Sequence, residues 1–239
     1  MSERGRFRVA AATAFGIALG SACSDSQPGE PADGSYREEN EAIADAASAD
    51  EGETSSGEAA ATFTPLFDGV SLAGWHGDPQ LWRVENGEVV GTTDGTLAQN
   101  SFLIHEGSYA NFVLRVQFRL VNNNSGIQCR SEDLGDYVVR GYQADIDALY
   151  MGFLYEERGR GILANADSAI LTHVDLAGWN EYVITADGPH VTLVLNGYTS
   201  VDYTEADPNA RTAGIIALQL HVGPAMEVRF RNVEVRELP

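Results

Sequence analysis

The sequence predicts an all-β fold, a two-sheet antiparallel jelly-roll sandwich over residues 63–239, and three observations predict it. From Phe63 onward the chain runs in short alternating stretches punctuated by Gly, Asn and Asp, the spacing of strands and turns. The apolar run 191–195 meets Asn196-Gly197 and resumes at Tyr198; Asn-Gly is the strongest short hairpin signal because both turn residues need positive φ. No stretch past Phe63 carries a convincing amphipathic helix. The individual strands follow from the same reasoning. Phe112, Leu114, Val116, Phe118 and Leu120 alternate with Val113, Arg115, Gln117 and Arg119, as a half-buried strand requires. Near the C-terminus Met226, Val228 and Phe230 hold one phase while Val233 and Val235 hold the other, so a one-residue slip at Arg231 or Asn232 predicts a β-bulge. Two packed sheets are the economical way to bury so many half-apolar strands.

The chain has 239 residues, 44% of them hydrophobic, which suits one sizeable domain plus a leader. Its 35 acidic residues outnumber 15 basic ones, giving a formal net charge of -20, and every basic residue is Arg. Such a surface excludes nucleic acid as a partner. The lack of Lys removes Schiff-base chemistry and leaves Asp, Glu, His and Tyr as acids and bases. Salt tolerance and a codon bias toward Arg both account for the acidity.

At the N-terminus Arg4, Arg6 and Arg8 precede an apolar run over 9–19, shorter than the ~20 residues a spanning helix needs. It ends in Leu19-Gly20-Ser21-Ala22-Cys23, which resembles a bacterial lipoprotein signal, with the usual Leu one place early. Residues 1–23 are therefore expected to be a signal peptide that leaves Cys23 lipidated. The expected location is the cell envelope, periplasmic or outer membrane, held to the membrane through the lipid at Cys23; secretion is the alternative. Ser24 in place of Asp resembles outer-membrane signals. Residues 24–62 are mostly Ser, Gly, Ala, Asp and Glu, too poor in apolar area to offset their ordering entropy, and are read as a flexible acidic linker. Cys129 is then the remaining thiol and is expected to pack as a small core hydrophobe.

Chemistry concentrates on two strands. Alternate residues share a face, so Gln143, Asp145 and Asp147 lie together, opposite Tyr142, Ala144 and Ile146. On the later strand Gln219 and His221 lie together, opposite Ile216, Leu218 and Leu220. A sheet face carrying carboxylates, amides and an imidazole is a candidate sugar-handling surface. Asp145, flanked by apolar neighbours, reads as a base, a metal ligand, or a structural carboxylate paired with Arg130 or Arg140. His221 reads as base, acid, ligand or a structural histidine. His76, His105, His173 and His190 are placed in loops or turns and form no zinc-ligand spacing.

Several motifs in order carry a family resemblance: Leu66-Phe67-Asp68-Gly69 with Leu72 and Gly74-Trp75; Trp82-Arg83-Val84-Glu85-Asn86-Gly87; Asn124-Ser125-Gly126-Ile127-Gln128; Gly141-Tyr142-Gln143-Ala144-Asp145-Ile146; Trp179-Asn180-Glu181-Tyr182; Leu195-Asn196-Gly197; and residues 214–231. Together they resemble the 3-keto-disaccharide hydrolase family, a concanavalin-like jelly roll. The resemblance implies cleavage of oxidised, 3-keto glycosides. A ketone at C3 acidifies the hydrogen on C2, so a base can remove it, the enolate expels the C1 substituent, and water adds back. It implies catalytic roles for Asp145, His221 and Glu156; in the Leu154-Tyr155-Glu156-Glu157 stretch one of the two glutamates completes an acid/base pair with Asp145, a solvated charged turn being the alternative. Asn124, Gln128, Arg130, Gln143, Tyr155, Glu157 and Gln219 become substrate-binding candidates. Arg130, sharing a face with Gln128, would steady an enolate or balance Asp145, and Trp75, Trp82 and Tyr155 are candidate stacking platforms, with Trp82 favoured for the core. A divalent metal is a candidate cofactor, with Asp145 and His221 as its ligands. The chain departs from the family at His221-Val222-Gly223, where His-Gly-Gly is usual.

Two rivals share the fold. A retaining glycosidase of this class carries Glu-x-Asp-x-Glu on one strand; here that register reads Gln143, Asp145, Asp147, so the nucleophile position is an amide. A carbohydrate-binding or surface-interaction module needs aromatic platforms and amides but no proton-transfer pair.

Overall fold

The computed structural model describes residues 62–239. The signal peptide, Cys23 and all of the linker but Thr62 lie outside the described residues. The chain first forms β1 (Thr64–Pro65), β2 (Trp75–His76), β3 (Trp82–Glu85), β4 (Glu88–Thr93), β5 (Ser101–His105) and β6 (Phe112–Leu120). There follow β7 (Ser125–Gly135), β8 (Val138–Ile146), β9 (Leu154–Glu157) and β10 (Gly161–Ala164). After a 3-10 turn over Ser168–Thr172 come β11 (Asn180–Asp187), β12 (His190–Leu195), β13 (Tyr198–Thr204), β14 (Ile215–Leu220) and β15 (Met226–Glu237).

These strands make two antiparallel sheets. One runs β13-β12-β11-β6-β15-β4-β3, with β1 also on β15, and the other runs β10-β9-β8-β7-β14-β5-β2. The apolar phase of each strand meets between the sheets: Leu114, Phe118, Tyr182 and Phe230 from the first pack with Ile127, Ala144, Ile146 and Leu218 from the second. The hairpin at Asn196-Gly197 closes as the sequence predicts, with φ of 48° and 81°. The predicted bulge is present as well. β15 shifts register between Arg231 and Glu234, Asn232 takes φ 48°, and the strand thereby pairs β4 on one side of the bulge and β1 beyond it.

The second sheet is buried on both faces, which is why β8 reads as a near-continuous buried strand. Its outer face is covered in part by its own hairpin. A register shift between Cys129 and Glu132, with Arg130 at φ 47°, bends the tip of the β7–β8 hairpin back over β14 and β5. There Val139 packs with Phe102, Ile104 and Ala217, the Phe102 amide donates to the Tyr137 carbonyl at 2.9 Å, and His76 meets Asp133 at 3.0 Å. The cover leaves the β8, β9 and upper β14 portion of the face open. Gly141 makes the bend possible: its φ is 153°, and a Cβ there would sit 2.6 Å from Ser131 Cα, a backbone atom that cannot yield.

Gly141→Ala is expected to lower the unfolding free energy by about 1–3 kcal/mol through overpacking at the bulge, read as a lower urea midpoint with an unchanged m-value.

Candidate active site

The open part of the face is a cleft of about 340 Å³ floored by β8 and β14 and walled by β9. Asp145 is 5% exposed and enters the cleft because β8 keeps its two-residue alternation from Tyr142 to Ile146. Cross-strand pairing puts Tyr155 opposite Gln143 and Glu157 opposite Gly141, so Tyr155 and Glu157 join Gln143 and Asp145 on one face. Tyr182 reaches through the core to donate to the Asp145 carbonyl at 2.6 Å, pinning the backbone from below.

The side chain of Asp145 ends a buried polar chain. Gln143 Nε2 donates to Asp145 Oδ1 at 2.6 Å, Gln128 Nε2 donates to Gln143 Oε1 at 2.6 Å, and Ser131 Oγ donates to Gln128 Oε1 at 2.6 Å. Gly126 permits this stacking, since a Cβ there would overlap the Gln143 amide. Burial pushes the Asp145 carboxyl up to about 7; the Gln143 hydrogen bond opposes that shift, and the charges of Asp147 and Glu157 add to it. Glu157 is also raised, first by burial, against the lowering effects of the Asn100 amide, Arg158 and His221. Two carboxyls in one cleft, both raised by burial, are the pattern expected of proton-transfer groups.

His221 follows β14 directly. Its Nδ1 meets the Val222 carbonyl; a carbonyl only accepts, so Nδ1 carries a proton and Nε2 is the ring nitrogen left without a protein partner. Asn100 holds this corner together, accepting from the Val222 amide at 2.9 Å and donating to Glu157 at 3.3 Å. Gln219 lies beneath, fully buried, and neither its Nε2 nor its Oε1 has a partner; Asn124 Oδ1 is likewise unpartnered. Buried amides left unpaired cost free energy unless something binds them, and both line the cleft.

Residues 62–236 match the family described as the 3-keto-alpha-glucoside-1,2-lyase-like domain. The chain belongs to this family. The 3-keto-alpha-glucoside-1,2-lyase-like domain is a glycoside-hydrolase-like unit with a concanavalin-like jelly-roll fold. Among solved structures it is similar to a candidate glycosyl hydrolase from Parabacteroides distasonis, with 23% identity and a TM-score of 0.57 over 74% of this chain and 100% of that one. It is also similar to the carbohydrate binding module CBM66 from Bacillus subtilis, at 18% identity and TM-score 0.55 over 69% and 96% of the two chains. The β-glucanase of Bacillus licheniformis aligns at 10% identity and TM-score 0.50 over 69% and 92%. At these identities the likeness is one of fold. No curated protein matches the sequence.

Within this lyase-like domain the structure brings Asn124, Gln143, Asp145, Tyr155, Glu157, Gln219 and His221 to one cleft. It sets others elsewhere. Glu156 points to the opposite face, beside Tyr142, where Arg160 holds it at 2.7 Å; burial alone would raise its carboxyl, but the Arg160 contacts outweigh that and lower it. Arg130 leaves the Gln128 face at the bulge and donates to Ala110 O, Gly188 O and Asn111 Oδ1, so it neither faces the cleft nor balances Asp145. Gln128 is fully buried below Gln143 and acts through it. Trp75 and Trp82 are core residues, with Trp75 Nε1 donating to Leu66 O at 2.6 Å. His76, His105 and His190 lie in strands β2, β5 and β12, not in loops. Asp147 caps a turn, accepting from the Leu149 amide at 2.6 Å. Asn100, Tyr150 and Ile162 line the cleft without having been singled out in the sequence; only the tertiary fold marks them. Among the described residues no three His, Cys, Asp or Glu side chains gather into a set that could hold a metal ion. Asp145 and His221 thus have no third ligand of these types.

Folding raises the Asp145 pKa from 3.8 to about 7, so between those values the folded chain holds a proton that the unfolded chain has released. Stability from this group is full below about pH 4 and is lost as pH rises through 7. Asp145→Asn removes the loss, and its stability relative to the parent should grow by roughly 2–4 kcal/mol from pH 4 to pH 8, measured by urea unfolding at several pH values.

Proposed function

We propose that this domain cleaves the glycosidic bond of 3-keto-glycosides by C2 proton abstraction, elimination and water addition. The observation that carries the proposal is a buried carboxyl poised near neutrality, Asp145, in the same cleft as an imidazole with a free Nε2 and an unpartnered amide. Asp145 Oδ1 is occupied by Gln143, and Asp145, once ionised, takes the C2 proton. The electron pair moves into the C2–C3 enolate, whose oxygen is met by the Gln219 Nε2–H or a neighbouring cleft donor. As the enolate collapses to the enone, the C1–O bond breaks and the leaving oxygen takes a proton from Glu157, whose carboxyl burial biases toward the acid form. Water then adds at C1, losing a proton to the group that gave one, and C2 recovers the proton held by Asp145. Fully polar contacts on the cleft floor suit a neutral sugar ring, and Tyr155 offers it an aromatic side.

The competing reading is a carbohydrate-binding module. The same amides and tyrosines would serve it, but a module has no use for a carboxyl whose proton is shared near pH 7. The proposal extends to location: an envelope protein anchored by lipid at Cys23, through an acidic linker.

The purified protein should release aglycone from a 3-keto-glucoside and leave the unoxidised glucoside intact. Its kcat/KM should climb with pH through about 7, because the ionised form of Asp145 is the active one, and fall at higher pH as the group that protonates the leaving oxygen loses its proton. Asp145→Asn should lower kcat by ~10²-fold or more. Sugar binding without turnover in the parent protein would instead establish the module reading.

A further inference from the structure

The polar chain that ends at Asp145 begins at Ser131, within the bulge. A primary amide has a donor end and an acceptor end of nearly the same shape, so packing does not choose between its two orientations. Gln143 can present Nε2 to Asp145 only while its Oε1 is met by a donor. That donor is Gln128 Nε2, at 2.6 Å. Gln128 can offer Nε2 there only while its own Oε1 is satisfied, and the group that satisfies it is the Ser131 hydroxyl at 2.6 Å. Ser131, Gln128 and Gln143 are all buried, so bulk water does not substitute for any link.

We propose that Ser131, three hydrogen bonds removed from Asp145, is a positioning residue that fixes the polarity of the Gln128–Gln143 relay, so that Asp145 is met by an N–H rather than by a carbonyl oxygen. The hydroxyl has one proton and two acceptors within reach, Gln128 Oε1 at 2.6 Å and the Cys129 carbonyl at 3.2 Å. The shorter bond directs the relay toward Asp145. In the reversed relay Gln128 Nε2 would donate to Ser131 Oγ, the hydroxyl would turn to Cys129, and Gln143 Oε1 would face Asp145 Oδ1. Two acceptors in contact are tolerable only if the carboxyl is protonated, so reversal favours the acid form. The lowering contribution of the Gln143 hydrogen bond to Asp145 agrees with this direction. The bulge is what delivers the hydroxyl: it places Ser131 under Gln128, and Gly141, lacking a Cβ, leaves room for it. The inference deepens the reading of Asp145 as the group that takes the proton.

The test is the titration of Asp145 in the full chain, followed by the carboxyl carbon signal in NMR, which needs no substrate. Ser131→Ala and Gln128→Met remove the relay's end group and its middle link without adding charge. Each should move the Asp145 midpoint upward by about one pH unit, and where turnover is present the lower limb of kcat/KM against pH should move with it. Ser125→Ala deletes an equally buried hydroxyl, one that donates to the Gln219 carbonyl, and should leave the Asp145 midpoint in place. Unchanged midpoints in the folded relay variants, or an equal shift in Ser125→Ala, would overturn the proposal. If Ser131→Ala does not fold, Gln128→Met decides alone. Absence of turnover in the parent protein would count against the proposed function and would leave the titration result standing.

Discussion

The site depends on one irregularity, the bulge that interrupts β7 between Cys129 and Glu132. A regular strand would carry its two-residue alternation through Arg130 and hold the hairpin flat against the solvent. The bulge instead turns the Arg130 side chain toward the Ala110 and Gly188 carbonyls. It also aims the Ser131 hydroxyl at Gln128 and folds the hairpin tip across the outer face of the sheet. That single slip supplies the end group of the cleft's polar relay. A bulge costs ladder hydrogen bonds and persists where surrounding contacts over-determine it, and here the hairpin tip contributes both an apolar cluster with Phe102, Ile104 and Ala217 and the His76–Asp133 contact.

Much of the face was legible because β8 and β14 are regular. A period of two, read from Tyr142 to Ile146 and from Ile216 to His221, sorts core from cleft with no knowledge of the partner strands. Where the period breaks, reading by alternation fails, and Arg130 is the case in point: it stands two residues after Gln128 but on the wrong side of the slip. β9 shows a different difficulty. Its four residues, Leu154–Glu157, hold two adjacent glutamates, and a strand that short carries too little apolar alternation to say which faces the sugar side. The pairing with β8 settles it, choosing Glu157 and sending Glu156 to Arg160. Asn100, Tyr150 and Ile162 could not be found from the sequence, because their place in the cleft follows from how distant strands are laid side by side.

Charge is divided between the two sides of the sandwich. On the outer face of the β6–β15 sheet, Arg229 bridges Glu85, Glu88 and Glu227 within 3.3 Å, and Arg115 meets Glu234 at 3.3 Å. None of the cleft-lining residues is an arginine. No cation acts on Asp145, and at Glu157 burial outweighs Arg158 and His221, so the proton affinity of both carboxyls rises, and an anionic ligand would meet repulsion. The arginines that steady the outer face would defeat the chemistry if placed inside the cleft, since a neighbouring guanidinium would return Asp145 to an ordinary, weakly basic carboxylate.

Cys129 has a consequence of a different kind. It is fully buried in the core between the sheets, and burial pushes its thiol up to about 12 despite the adjacent Arg130. Thiolate is the form that reacts with disulfides, peroxides and alkylating agents, so this sulfur is chemically silent while the sandwich is closed. It lies on β7 at the edge of the bulge, in the middle of the sheet, where exposure requires β7 to part from the opposing layer. A reagent that modifies it therefore counts openings of the whole domain, and the chain carries within its core a recorder of its own unfolding.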